Sequence, residues 1–169
     1  MTPRIFFRFL IHILSGLALF ATPLLAAAAE EKLDFGEITE EHIRIPMRDG
    51  VKLSAYLYRP PGDGPWPVIF EQRYASLRGK GTRESAARLA RGGYAVALVN
   101  YRGTHLSEGK WVGYRAMQFG ELRDGFDACE WLAGQAWSTG KVGTFGSSQG
   151  GYAQNYLALF GAAIGAALT

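Results

Sequence analysis

Polar and apolar positions alternate twice near the start of the chain, on either side of an Asp-Gly pair. His42 and Arg44 fall on one face and Ile43 and Ile45 on the other; after Met47-Arg48-Asp49-Gly50 the alternation resumes over residues 51–58. Two such runs joined through Asp-Gly predict an antiparallel hairpin, with His42 on the surface of its first strand. Residues 59–67 are dense in Pro and Gly and predict a loop. Residues 68–72 predict a strand and 73–81 a polar loop. Residues 83–91 predict a helix with Ala87, Leu89 and Ala90 among its buried positions, stopped by Gly92-Gly93. Residues 94–99 are almost continuously apolar, the pattern of a strand covered on both faces. A long polar loop over 100–113 leaves the C-terminal end of that strand, where open α/β sheets place ligands. Residues 121–136 read as a helix with an apolar stripe of Leu122, Phe126, Cys129 and Ala133. Glu121, Asp124, Asp127 and Glu130 recur on another face, read as solvated rather than as acids for proton transfer. Residues 137–140 lead into a short buried strand carried by Val142, Thr144 and Phe145, and 149–160 can run as a further helix. A hairpin followed by alternating strands and helices predicts a parallel sheet with helices on both faces.

The last strand-to-helix junction carries the candidate chemistry. Gly146-Ser147-Ser148-Gln149-Gly150 fits G-x-S-x-G with Ser148 at its centre. Between a strand and a helix this pattern is a nucleophile elbow. The serine sits on a sharp turn, the helix start packs tightly on the strand, and Gly146 and Gly150 supply room. The helix N-terminus also aims N–H groups at an oxyanion formed above the serine. Ser147 is the competing hydroxyl, and the motif register favours Ser148. Outside that context the same letters are a glycine-rich turn that any parallel α/β fold can use.

Composition narrows the setting. A chain of 169 residues is long enough for one domain with a real core. The net charge of +3 overstates its basic character, because Arg4 and Arg8 lie in a leader-like start; without them 16 basic residues face 15 acidic ones. Nothing in that balance points to a nucleic-acid partner. Residues 1–29 read as a secretory signal: Arg4 and Arg8, a largely apolar stretch over 9–25, and small residues from Ala26 to Ala29 for cleavage near Ala29. Ser15, Gly16, Thr22 and Pro23 interrupt the apolar stretch and leave it short for a membrane anchor. The expectation is an exported protein, periplasmic or extracellular, with no stable membrane span after cleavage. Were the leader to persist, the chain would instead be a membrane-tethered interaction protein. Residues 30–41, polar and acidic, are expected to form a flexible mature N-terminus. Cys129 is the single cysteine, so no intrachain disulfide forms, and its place on an apolar stripe reads as core. No Cys/His cluster has metal-ligand spacing, so no metal is expected.

Short motifs in a fixed order extend the reading. They are Pro46-Met47-Arg48-Asp49-Gly50-Val51-Lys52-Leu53, Leu57-Tyr58-Arg59-Pro60, Gly93-Tyr94-Ala95-Val96, Arg102-Gly103, Ser107-Glu108-Gly109 and Trp137-Ser138-Thr139-Gly140-Lys141-Val142-Gly143. Residues 41–157 resemble the N-terminal part of the cocaine-esterase and X-Pro dipeptidyl-peptidase-like serine hydrolases. The resemblance implies the N-terminal half of an α/β-hydrolase fold over residues 42–160, an antiparallel hairpin leading into a mostly parallel sheet with helices on both faces. It also implies hydrolysis of esters or amides through an acyl-enzyme, with no cofactor and a small-molecule ester, amide or peptide as substrate. Esterase and X-Pro peptidase both stay open. Two side chains carry over: Ser148 as nucleophile and Tyr74 as a hydroxyl donor to the oxyanion, with the backbone N–H of Gln149 as second donor. One such donor is worth about 2.7–4 kcal/mol.

The chain also departs from the family pattern. Asn100-Tyr101-Arg102-Gly103 stands where the family often has Asp-x-Arg-Gly, and His105 follows in the same loop. A serine nucleophile needs a base and an orienting acid, which in α/β-hydrolases follow it in the chain. Residues 149–169 contain no His, Asp or Glu. The expectation is therefore a hydrolase that is incomplete or inactive by itself. The alternative is a non-catalytic remnant, or a half-molecule that pairs with a separate C-terminal half. His105 is the one other candidate base. Residues 161–169, small and apolar, read as an atypical tail of a truncated or frame-shifted product, which would leave the elbow strand at a sheet edge.

Overall fold

The computed structural model describes residues 32–113 and 122–159. The expected leader over 1–29, the helix start at Glu121 and the tail over 161–169 lie outside the described residues. In chain order the elements are β1 (Thr39–Pro46), β2 (Lys52–Arg59), β3 (Trp66–Arg73), α1 (Lys80–Arg91), β4 (Ala95–Asn100), α2 (Asp124–Ala133), β5 (Ser138–Thr144) and α3 (Gln149–Leu159). The strands form one sheet in the order β1-β2-β4-β3-β5. The β1–β2 and β2–β4 pairs are antiparallel, and β3–β4 and β3–β5 are parallel. The Asp49-Gly50 turn closes the β1–β2 hairpin as expected. The Gly50 N–H donates to the Met47 carbonyl at 2.9 Å, and Gly50 takes a φ of +84°, which glycine adopts at little cost.

All six residues of β4 are buried. Ala95, Ala97 and Val99 join a core with Ala128, Cys129 and Leu132 of α2 and Leu157 of α3. Val96 and Leu98 join the opposite core, with Tyr58 and with Ala86, Ala87 and Ala90 of α1. Alternate side chains of a strand point to opposite faces, so one apolar run fills both layers. Cys129 sits fully inside, and burial pushes its thiol up to about 12.

Three expectations change. The segment over 30–41 is not loose where it is described. Phe35 and Ile38 are buried against Tyr58 and α1, and β1 begins at Thr39. Its acidic composition concealed a specific partner: Glu40 accepts from Tyr58 Oη at 2.5 Å and from Arg83 Nε and Nη2 at 2.9 and 2.6 Å. Secondly, α2 ends at Ala133 rather than 136, because Gly134 caps it, and β5 starts at Ser138. There Trp66 pairs with Ser138 and the Trp66 N–H donates to the Trp137 carbonyl at 2.8 Å, so polar residues 138–140 become strand. Thirdly, the acidic face of α2 is not simply solvated. Asp124 is buried beneath Arg102, and Asp127 accepts from the Arg48 Nε at 3.0 Å.

The Glu40 cluster has a pH signature. Burial opposes ionisation of Glu40, but hydrogen bonds from Arg83 and Tyr58 outweigh it and hold the carboxyl below its ordinary value. A carboxyl depressed by folding stabilises above its unfolded value, about 4.3 for Glu, and that contribution is lost as pH falls through the folded value. Glu40→Gln is therefore expected to melt below wild type at pH 7, with the gap closing below about pH 4. Thermal unfolding followed by circular dichroism across that range checks this. A gap of constant size would contradict it.

Candidate active site

Strand β5 ends at Thr144, and the chain reverses through Gly146 and Ser147 into α3. Ser148 lies immediately before α3, exposed, with φ +53°. A non-glycine residue there costs about 1–3 kcal/mol and persists only where its surroundings impose it. The surroundings are tight. A Cβ on Gly146, whose φ is +137°, would come within 3.1 Å of Gly150 Cα and 3.3 Å of Glu71 Oε1. A Cβ on Gly150 would meet Glu71 Oε1 at 3.2 Å. Gln154 ties the strand end to the helix: its Nε2 donates to the Gly146 carbonyl at 2.8 Å, and its Oε1 accepts from Thr144 Oγ1 at 3.1 Å. The two adjacent serines part company here. Ser147 lines a polar cavity of about 450 Å³ with Glu71, Arg73, Thr82 and Ser85, and Ser148 does not.

Tyr74 follows β3 at the same end of the sheet and is exposed. Its backbone N–H donates to Gln149 Oε1 at 3.1 Å, so Tyr74 and the residue after Ser148 are held together. The Gln149 N–H belongs to the first turn of α3, whose N–H groups lack intrahelical partners. His105 takes φ +49° and turns its Nε2 to the Tyr74 carbonyl at 2.9 Å. A carbonyl only accepts, so Nε2 carries the proton in that bond. That nitrogen is engaged on Tyr74 and is not directed at Ser148.

Asn100, the departure from the family's aspartate, has a structural role. Its Nδ2 donates to the Arg73 carbonyl at 3.2 Å and the Ala75 carbonyl at 2.9 Å, clamping both sides of Tyr74. A carboxylate has no proton to give either oxygen. Asn100→Asp, nearly isosteric and buried, is expected to cost about 1–3 kcal/mol in urea unfolding and to loosen the Tyr74 segment. Unchanged stability would refute the clamp.

The loop after β4 is fastened by Arg102. Its Nε and Nη2 reach Asp124 Oδ2 and Oδ1 at 2.7 and 2.6 Å, and its Nη1 reaches Asp49 Oδ2 at 2.7 Å. Asp124 and Asp49 hold the guanidinium above the ordinary arginine range. Burial pushes the Asp124 carboxyl up, against the pull of the Arg102 fork. Further along, Ser107 Oγ accepts from the Ser54 N–H at 2.9 Å and donates to the Asn100 carbonyl at 3.1 Å. This places Tyr101 against α3, with its hydroxyl donating to the Gln149 carbonyl at 3.4 Å.

Sequence reasoning missed Glu71 and Gln154. Burial raises the Glu71 carboxyl, against the pull of Arg73, whose Nη2 lies 3.2 Å from Oε2. A glutamate directly after the apolar run over residues 68–70 was the available signal for the first; Gln154 gave none.

Comparisons with known proteins identify the fold and the family. A family profile described as X-Pro dipeptidyl-peptidase (S15 family) matches residues 49–163. The chain is 35% identical over 124 residues to cocaine esterase from a Rhodococcus species, covering 71% of this chain and 21% of that protein. It is similar to the crystal structure of a CocE/NonD family hydrolase from Staphylococcus aureus, with a TM-score of 0.61, 25% identity, and 72% of this chain matched to 24% of that one. It is also similar to an α-amino acid ester hydrolase, with a TM-score of 0.60, 25% identity, and 78% of this chain matched to 25% of that one. The chain thus spans about a fifth to a quarter of the length of these relatives. The sheet, its hairpin and its flanking helices are part of an α/β-hydrolase fold. The chain belongs to the X-Pro dipeptidyl-peptidase (S15) family, a family of serine hydrolases.

Proposed function

We propose that this chain carries the nucleophile and the oxyanion donors of an acyl-transfer site acting on a carboxylic ester, amide or peptide. The observation that carries the reading is the exposed Ser148, held at φ +53° between β5 and α3. In the proposed reaction Ser148 Oγ attacks the carbonyl carbon and its proton passes to a base. The carbonyl oxygen, now negative, receives hydrogen bonds from the Gln149 N–H and the Tyr74 hydroxyl. Loss of the alcohol or amine leaves an acyl-enzyme, which water then cleaves. No His, Asp or Glu occurs among residues 149–169. We therefore propose that the base and its acid come from polypeptide beyond this sequence. A half-molecule docking on β5 is one source, since among the described residues β5 pairs only with β3. The leader-like residues 1–29 support a site of action outside the cytoplasm. Among the described residues no helix is long and apolar enough to cross a membrane.

A thiol tests the site without needing that base, because part of it is ionised near neutral pH. Ser148→Cys is expected to release one equivalent of p-nitrophenol from p-nitrophenyl acetate, about tenfold or more faster than Ser147→Cys. Cys129 adds no background, being buried with its thiol pushed up to about 12. Equal rates at the two positions would remove Ser148 from the proposed role.

A further inference from the structure

Building on the acyl-transfer reading, we infer that Glu71 is a positioning residue for the chemistry at Ser148. Its carboxylate is lodged against the first turn of α3 and competes with an anion at position 148 for the positive end of that helix. Glu71 stands on β3 opposite Leu98 of β4 and is 7% exposed. One residue earlier, Phe70 pairs with Thr144, and its carbonyl accepts the Phe145 N–H at 3.2 Å. Glu71 therefore lies level with the point where β5 gives way to the turn. Its Oε1 would sit 3.3 Å from a Cβ on Gly146 and 3.2 Å from a Cβ on Gly150. A side chain at either position would crowd the carboxyl, so both motif glycines make room for Glu71 as well as for the approach of strand and helix. Helix α3 has no acidic residue of its own in its first turn. Negative charge is favourable at a helix start, and Glu71 supplies it from the neighbouring strand.

The surroundings leave that charge effective. Oε2 accepts from Arg73 Nη2 at 3.2 Å, while Oε1 faces the glycines. Strand β4 carries no ionisable side chain, and α3 carries only Tyr152 and Tyr156. Lys141 of β5 is exposed. Helix α1 turns Gly81, Thr82 and Ser85 to the cavity that Glu71 lines, and its Arg83 is held by Glu40. Among the described residues Arg73 is the charge that acts on Glu71. Ser148 is two residues from either glycine, which places it about 10 Å from the carboxyl. At an effective dielectric constant of about 20, a unit charge at that range moves a titration by about one pH unit. An anion at position 148 and a carboxylate at position 71 share one helix start, so each disfavours the other. Protonating Glu71, or exchanging it for an amide of the same shape, releases the helix start for the oxyanion.

Ser148→Cys reads this coupling, because its thiol titrates. The rate of alkylation by iodoacetamide against pH gives that titration. Adding Glu71→Gln is expected to lower it by about one pH unit. Acylation by p-nitrophenyl acetate at pH 7 is expected to speed up about threefold, since the gain in thiolate outweighs its lower nucleophilicity. A carboxyl that merely filled space would alter the melting temperature and leave the thiol titration where it was. An unchanged or raised titration would overturn the inference. A second measurement needs no change at position 71. Iodoacetate and iodoacetamide leave Ser148→Cys with a charged and a neutral adduct of nearly the same shape. The Glu71 carboxyl, followed by carbon-13 NMR, is expected to titrate higher beside the charged adduct. Equal titration beside the two would overturn the inference, even should Glu71→Gln fail to fold. Failure of the two readings is separable. Coupling without acylation at position 148 keeps the placement of Glu71 and removes the acyl transfer; acylation without coupling does the reverse.

Discussion

Arg102→Met is expected to lower the stability of the folded chain by about 3–5 kcal/mol, the usual cost of leaving a buried charge without its partner. Asp124 is 1% exposed and faces the guanidinium fork through both oxygens, so the substitution strands its carboxylate. Asp49 loses its contact as well, which releases the β1–β2 turn from the β4 loop. Domains of this size are stable by about 5–15 kcal/mol, so the loss is a large fraction of the total. Urea unfolding of Arg102→Met beside Arg102→Met/Asp124→Leu separates the causes. The double variant removes the stranded charge and is expected to recover much of the loss, as apolar replacements of buried ion pairs often do. A single variant within about 1 kcal/mol of wild type would show that Asp124 is not buried as a charge.

Gly103→Ala is expected to be nearly as damaging, for steric reasons. A Cβ there would lie 2.1 Å from Trp111 N and 2.6 Å from Lys110 C, so backbone must move, and φ is +69°. Overpacking typically costs about 1–3 kcal/mol, and the left-handed conformation adds about 1–2 kcal/mol for a residue with a Cβ. Gly50→Ala is the matched control: φ is +84° but nothing lies within 4 Å of its Cβ. It should show the conformational cost alone. Gly103→Ala is expected to unfold at lower urea than Gly50→Ala and to raise the exposure of Trp111, read by fluorescence quenching. Equal midpoints would mean that the loop does not approach Gly103 as closely as described.

Local pattern carried most of the fold. The hairpin was legible because Asp49-Gly50 sits between alternating runs, and β4 because residues 95–99 are apolar without a break. The turn between β5 and α3 was legible as a serine between two glycines at a strand-to-helix junction. What stayed hidden depends on residues far apart in the chain. The acids of α2 looked solvated because periodicity shows which residues share a face, and cannot show that Arg102 reaches one of them from a loop. Residues 30–41 looked loose because Glu40 is indistinguishable from its acidic neighbours until Arg83 is beside it. Asn100 looked like drift from the family pattern, and its amide turns out to hold the two carbonyls that flank Tyr74.

The central claim is that the β5–α3 junction presents Ser148, and no neighbouring hydroxyl, for attack on an acyl or phosphoryl centre. The most direct measurement is to treat the native chain with an alkyl fluorophosphonate in the presence of imidazole and map the adduct by peptide mass spectrometry. Imidazole takes the serine proton, fluoride leaves, and the phosphonyl group stays on oxygen. The account predicts an imidazole-dependent adduct on Ser148 that Ser148→Ala abolishes and Ser147→Ala does not. An adduct on Ser147, or labelling spread evenly over the exposed serines, would contradict it.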